Sequence, residues 1–174
     1  PRTLTAHELG AVQNPPATEC CYPAPSVMAF NPAGEVVQAW GGPTWNQERS
    51  VLDTSYGSAN VADSAGWDSP EDWPTQEHGI FIDHEDNVWV GGNGSSERVV
   101  LKFTPDGEHL LTIGQWNETR GSNDTQRLGR PADVTVDIET NEVYVADGYG
   151  NRRVIVFDAN TGEYRRHWGA YGNM

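Results

Sequence analysis

Three stretches of this chain are variants of one another, and no other feature limits its fold as tightly. VMAFNPAGEVVQAWGG starts at Val27, VLKFTPDGEHLLTIGQ at Val100 and VIVFDANTGEYRRHWGA at Val154. Each reads as a strand, a turn closed by glycine, a second strand and a glycine exit. Phe30, Phe103 and Phe157 hold one place in the repeat, and Trp40, Ile113 and Trp168 another. A further pair of stretches precedes the last two: HGIFIDHEDNVWVGGNG from His78 and PADVTVDIETNEVYVADGYGN from Pro131. Asp83 corresponds to Asp137, 54 residues on, and Trp89 to Tyr144. The unit is therefore four short antiparallel strands, repeated at the period of about 40 to 55 residues that marks a β-propeller. The expected fold is all-β, with a Pro-rich segment at 1–24 ahead of a partial propeller at 25–174. Its blade parts fall at 25–42, 78–114 and 131–169.

Two segments interrupt the repeat. Residues 43–77 are an acidic insertion carrying Trp45, Trp67 and Trp73. A loop of that length is expected to be functional or mobile. Its tryptophans suggest either an ordered lid or packing on a neighbouring blade. Residues 115–128 form a shorter polar connection.

In a four-stranded blade, the loop before the first strand and the loop joining strands two and three open on the same face. Here that face collects His78, Asn93, Arg98, Asp133, Asp147, Tyr149, Asn151 and Arg152, and the long insertion ends there too. The other face receives the short turns HEDN, TPDG, IETN and ANTG. Polar chemistry is thus expected at one end of the propeller.

Charge narrows the partners. Eleven basic against 25 acidic residues leave a net charge of −14. Nucleic acid and anionic membrane surfaces both call for a basic footprint, so neither is expected. No apolar stretch is long enough to span a bilayer, so membrane insertion is not expected either. The chain opens on Pro1 without Met, as a processed product or a piece of a longer chain would. Cys20 and Cys21 are adjacent. Free thiols, a vicinal disulfide and bonds to cysteines elsewhere all remain open for them.

PADVTVDIETNEVYVADGYGNRRVIVFDANTGEYRRHWG resembles an NHL repeat. Together with EHGIFIDHEDNVWV, it is similar to the peptidyl-α-hydroxyglycine α-amidating lyases, which are six-bladed propellers. The resemblance spans about 25–42 and 78–170 and implies about three of six blades. It implies that His78 stands where that family has the first of three zinc-binding histidines, and Tyr149 where it has the catalytic tyrosine. The Ile80 carbonyl would match a ligand of the family's calcium. Three departures stand beside these matches. Gly150 replaces a disulfide cysteine, the other two zinc histidines belong to later blades than this chain reaches, and the substrate-clamping arginine has no match.

The residues themselves allow two readings. Catalytic zinc takes three protein ligands and keeps one position open. His78 is the one histidine expected on the polar face; His84 and His109 fall near opposite-face turns, His167 in an outer strand and His7 in the N-terminal segment. The simpler role for His78 is a hydrogen-bonding cap at the strand entrance. Tyr149, with Arg152 nearby, reads either as a phenolic base or as an aromatic cover on a turn built by Asp147, Gly148, Gly150 and Asn151. Calcium would find oxygens in the acidic insertion and in IDHEDN, without an EF-hand loop. The first expected function is an extracellular or periplasmic binding or assembly module. It would act through the polar face or its blade edges, completed by a protein partner or by other copies. The alternative is a zinc-dependent lyase or hydrolase of the amidating-lyase type, completed by blades outside this chain.

Overall fold

The computed structural model describes residues 25–42, 44–46, 51–53, 73–74, 76–95, 97–116 and 119–169. Cys20, Cys21, the 1–24 segment and most of the acidic insertion, including Trp67, lie outside the described residues. The chain divides into two compact units between Trp73 and Pro74.

The N-terminal unit contains two hairpins. Strands β1 (Val27–Phe30) and β2 (Val36–Trp40) pair antiparallel, Val27 opposite Trp40. Asn31 closes their turn, its side-chain oxygen accepting the Ala33 and Glu35 N–H groups at 3.0 Å each. Gly34 supplies the left-handed backbone that the turn requires, at φ 83°. The insertion is not structureless: β3 (Thr44–Asn46) and β4 (Val51–Asp53) form a second hairpin within it. Trp73 is 1% exposed and meets Trp40 edge-on, ring centroids 6.1 Å apart. It also lies where a Cβ on Gly41 would stand, 2.5 Å from its ring. Trp73 is therefore a packing residue.

The C-terminal unit holds two four-stranded meanders. The first is β5 (Glu77–Ile82), β6 (Val88–Gly92), β7 (Val99–Phe103) and β8 (His109–Gly114); the second is β9 (Asp133–Asp137), β10 (Glu142–Asp147), β11 (Arg153–Asp158) and β12 (Tyr164–Trp168). Each sheet runs in sequence order with antiparallel neighbours, as the repeat requires. The two sheets share one apolar core. Trp89, Val100 and Ile113 of the first meet Val134, Val143, Val145, Ile155 and Phe157 of the second, and Leu128 of the connection joins them. Fully burying one such side chain is worth about 1.5–3 kcal/mol, so this packing outweighs any single turn contact.

The matching aspartates do matching work in unlike surroundings. Asp83 Oδ1 accepts the Glu85 and Asn87 N–H groups at 2.9 Å, and Asp83 Oδ2 accepts the Trp89 indole N–H at 2.9 Å. Burial alone would raise its pKa, but these donors outweigh it and hold the carboxyl below its ordinary value. Lys102, 6% exposed, donates to the Ala159 carbonyl of the second sheet at 3.1 Å and lies 3.8 Å from Asp83 Oδ2. The hydrogen bond to Ala159 ties the two sheets, while the ion pair lies within the first, between the end of β5 and β7. Asp137 accepts the Glu139 N–H at 2.8 Å in an exposed turn. Val156 takes the cross-strand place that Lys102 holds in the first sheet.

Candidate functional site

The site is built on a strap, residues 128–132, that leads into β9. Leu128 anchors it in the core with no exposure. The Gly129 N–H is donated to Asp147 Oδ1 at 2.7 Å, and the Gly129 carbonyl accepts the Asn151 N–H at 3.2 Å. The Arg130 carbonyl accepts the Tyr149 N–H at 3.4 Å. This approach is so close that a Cβ on Gly150 would stand 2.1 Å from the Gly129 oxygen. Glycine at 150 is therefore a steric requirement. Arg153 secures the chain upstream, binding Asp147 Oδ2 through Nε at 2.9 Å and the Ser122, Asp124 and Arg127 carbonyls through its other nitrogens.

The first sheet reaches the same strap through a bulge. Glu77 pairs with Gly92 and Ile80 with Val90, so His78 and Gly79 together oppose Gly91. Gly79 takes φ 77°, which turns the strand. A bulge of this kind re-aims a side chain. The histidine next to it crosses to the second sheet, where its Nδ1 lies 2.6 Å from the Ala132 carbonyl. A carbonyl only accepts, so Nδ1 carries a proton, and in the neutral ring Nε2 carries the lone pair. Tyr149 meets that lone pair: its hydroxyl lies 3.2 Å from Nε2, and the rings pack edge-on at 5.3 Å. Tyr149 is 58% exposed, so the pair sits at an open rim.

The predicted face thus separates into groups. His78 and Tyr149 come together. Asp133 joins them at the margin: it is exposed, its Oδ1 accepts the Val134 N–H at 2.9 Å, and it lies beside Gly79. Asp147 and Asn151 are buried at 0% and 3% exposure and bind each other at 2.7 Å, so their polar atoms hold the loop. Asn93 is also buried, its carbonyl and Oδ1 accepting from Arg130 at 2.9 and 3.4 Å. Arg98 is half-buried just before β7, with its carbonyl against Gly114. Arg152 is exposed, and its N–H is donated to Ser122 Oγ at 3.1 Å. Ile80 lies in β5 opposite Val90, its side chain 57% exposed.

The guanidinium above the Tyr149 ring is that of Arg130, 5.9 Å from the ring centroid. Sequence reasoning passed over this residue; the one available signal was its place directly before Pro131. His109 and His167 are engaged elsewhere, with Thr112 and Tyr164 at 2.8 Å each. Among the described residues, no three His, Cys, Asp or Glu side chains cluster as a metal site.

The two sheets define the class: four-stranded antiparallel blades of the NHL type in an all-β chain. The NHL repeat profile matches residues 128–157, from the strap through nearly all of β11. The chain is 28% identical to peptidyl-alpha-hydroxyglycine alpha-amidating lyase 1 of Drosophila melanogaster, across 88% of this chain and 30% of that protein. It is 26% identical to lyase 2 of the same organism, across 85% of this chain and 39% of the relative. Against peptidyl-glycine alpha-amidating monooxygenase A of Xenopus laevis the identity is 32%, across 71% of this chain and 12% of the relative. The chain therefore carries an NHL repeat and is similar to amidating enzymes over most of its length, while spanning well under half of each of these relatives. No helix among the described residues is long and apolar enough to cross a membrane.

Proposed function

We propose that this chain supplies the histidine and tyrosine part of an amidating-lyase-type site. The observation that carries the proposal is the 3.2 Å contact between the Tyr149 hydroxyl and His78 Nε2. The similar lyases are named for a peptidyl-α-hydroxyglycine that becomes an α-amide. Atom balance defines that reaction. The bond from the amide nitrogen to the hydroxyl-bearing carbon breaks, the hydroxyl gives up its proton as its carbon becomes an aldehyde, and the nitrogen gains a proton. The remaining fragment is glyoxylate. A base at the hydroxyl is what the chemistry asks for, and the Tyr149 phenolate, formed once the phenol at the rim has given up its own proton, would take this one.

His78 has the donor chemistry of a zinc ligand: an Nε2 lone pair at the open rim, with Nδ1–H held by a carbonyl as such ligands usually are. Bound there, zinc would polarise the substrate oxygen. The Tyr149 hydroxyl and a cation compete for one lone pair, so metal binding would release the phenol beside it. The further ligands would come from residues beyond those described or from another chain. The Ile80 carbonyl is the calcium position of the same proposal, and an extracellular or periplasmic setting is part of it. Titrating the chain with zinc while following the His78 ring by 15N NMR tests the ligand role. We expect the Nε2 resonance to move and Nδ1 to keep its hydrogen-bonded shift. Zinc that leaves both nitrogens unchanged refutes it.

A second reading, a binding or assembly module, rests on the outer face of the second sheet. On the first sheet Trp89 and Ile113 are covered by the second. The corresponding Tyr144 and Trp168 meet edge-on at 6.3 Å, and Trp168 is 50% exposed. A further blade, a second copy or a protein partner would bury that face.

A further inference from the structure

We infer that Arg130 is the positioning residue that sets Tyr149 against His78. The inference rests on the reading of those two residues as a working pair. Arg130 touches each part of the arrangement. Its Nε donates to the Asn93 carbonyl at 2.9 Å and its Nη2 lies 3.4 Å from Asn93 Oδ1, so the planar fork grips one residue of the first sheet's loop. Its guanidinium carbon lies 5.9 Å from the centre of the Tyr149 ring, within the range of a cation–π contact. Its carbonyl accepts the Tyr149 N–H at 3.4 Å. One residue thus binds Tyr149 through both backbone and side chain while holding the sheet from which His78 projects.

The backbone supports a dedicated role. Arg130 takes φ 74°, a left-handed conformation that a long side chain rarely adopts and that costs energy unless its surroundings hold it. It stands between Gly129, whose approach to Asn151 and Gly150 leaves no room for a Cβ, and Pro131, which restricts it further. Glycine would relieve the strain but would lack the fork and the charge. Asn93 has the complementary arrangement: both its oxygens face Arg130, and it is 5% exposed. Lysine would keep the charge over the ring without spanning both oxygens in one plane.

The test is NMR on the 174-residue chain, following cross-peaks between the Tyr149 and His78 rings and the His78 Nε2 resonance. In Arg130→Met, which keeps length and loses fork and charge, the ring cross-peaks should lose most of their intensity. Nε2 should shift toward an imidazole nitrogen with no O–H donor, while the strand amides keep their positions. Arg130→Lys should restore part of both signals, which a merely structural role would not produce. Wild-type cross-peaks in a folded Arg130→Met protein would overturn the inference and leave the pair itself standing. If Arg130→Met does not fold, Arg130→Lys carries the test alone: intermediate signals support the inference and unchanged ones overturn it. Absent ring contacts in the wild type would overturn the working pair and the inference with it.

Discussion

Tyr149 stands between two glycines that look interchangeable in the sequence and are not. Gly150 lies against the Gly129 carbonyl, where a Cβ would come within 2.1 Å, whereas Gly148 has nothing within 4 Å of the same position. Gly150→Ala should therefore push the strap away and cost about 1–3 kcal/mol, the usual range for an overpacked site. Gly148→Ala should unfold in urea at close to the wild-type midpoint. Equal midpoints for the two variants would contradict the strap geometry. What could be read at this scale divides along physical lines. The polar corner at Asp147–Asn151 was visible because turn residues announce themselves. That Asp147 accepts a backbone N–H and that an arginine beside it pairs with a local carboxylate was legible too; that the N–H is that of Gly129 and that Asp147 itself is the partner of Arg153 was not, because these meet only through the fold. Arg130 was missed for the same reason: a left-handed arginine in a polar connection carries no periodic signal.

At the scale of strands, the order and pairing of the eight strands of the C-terminal unit were legible from alternation and from the matched phenylalanines. The hairpin β3–β4 was not, since its three-residue strands are too short to show a pattern. The bulge at His78–Gly79 was hidden too: β5 keeps its apolar residues, and only the register reveals the extra residue. The outer strand β12 also carries charge that the repeat does not predict. Arg166 grips Glu142 with two bonds of 2.6 and 2.7 Å, which hold the Glu142 carboxyl down to about 2. Arg165, with the Thr161 and Asn160 N–H groups, holds Asp158 at about 2 as well. Both values are depressed, so the stabilisation is fully present above the ordinary carboxylate range, from about 4.5 for Glu142, and is lost as pH falls toward about 2. The urea midpoint should fall across that window, less steeply in a Glu142→Gln, Asp158→Asn double variant, and salt should shrink the difference because both pairs are exposed. Identical pH profiles for the variant and the wild type would remove these pairs from the stability of the fold.

For the whole molecule, the two readings of function make different demands. The assembly reading needs the Tyr144–Trp168 face to be covered by another surface. Sedimentation of the wild type and of Trp168→Glu at rising concentration tests this: the wild type should gain mass and the variant should not. A wild type that stays monomeric throughout would leave that face without a second copy as its cover. The lyase reading needs Tyr149 and His78 to act together, with further zinc ligands supplied from beyond the described residues. Charge, composition and the repeat led to the fold and to one end of it; the contact between these two side chains became visible only when the bulge and the strap were in place. The most direct test is glyoxylate release from a peptidyl-α-hydroxyglycine in the presence of zinc, by the protein as its source makes it, compared with Tyr149→Phe. A general base contributes roughly 10²–10⁴ in rate, so the account predicts turnover that falls by about that factor when the hydroxyl is removed. No turnover, or turnover that Tyr149→Phe leaves unchanged, would contradict it.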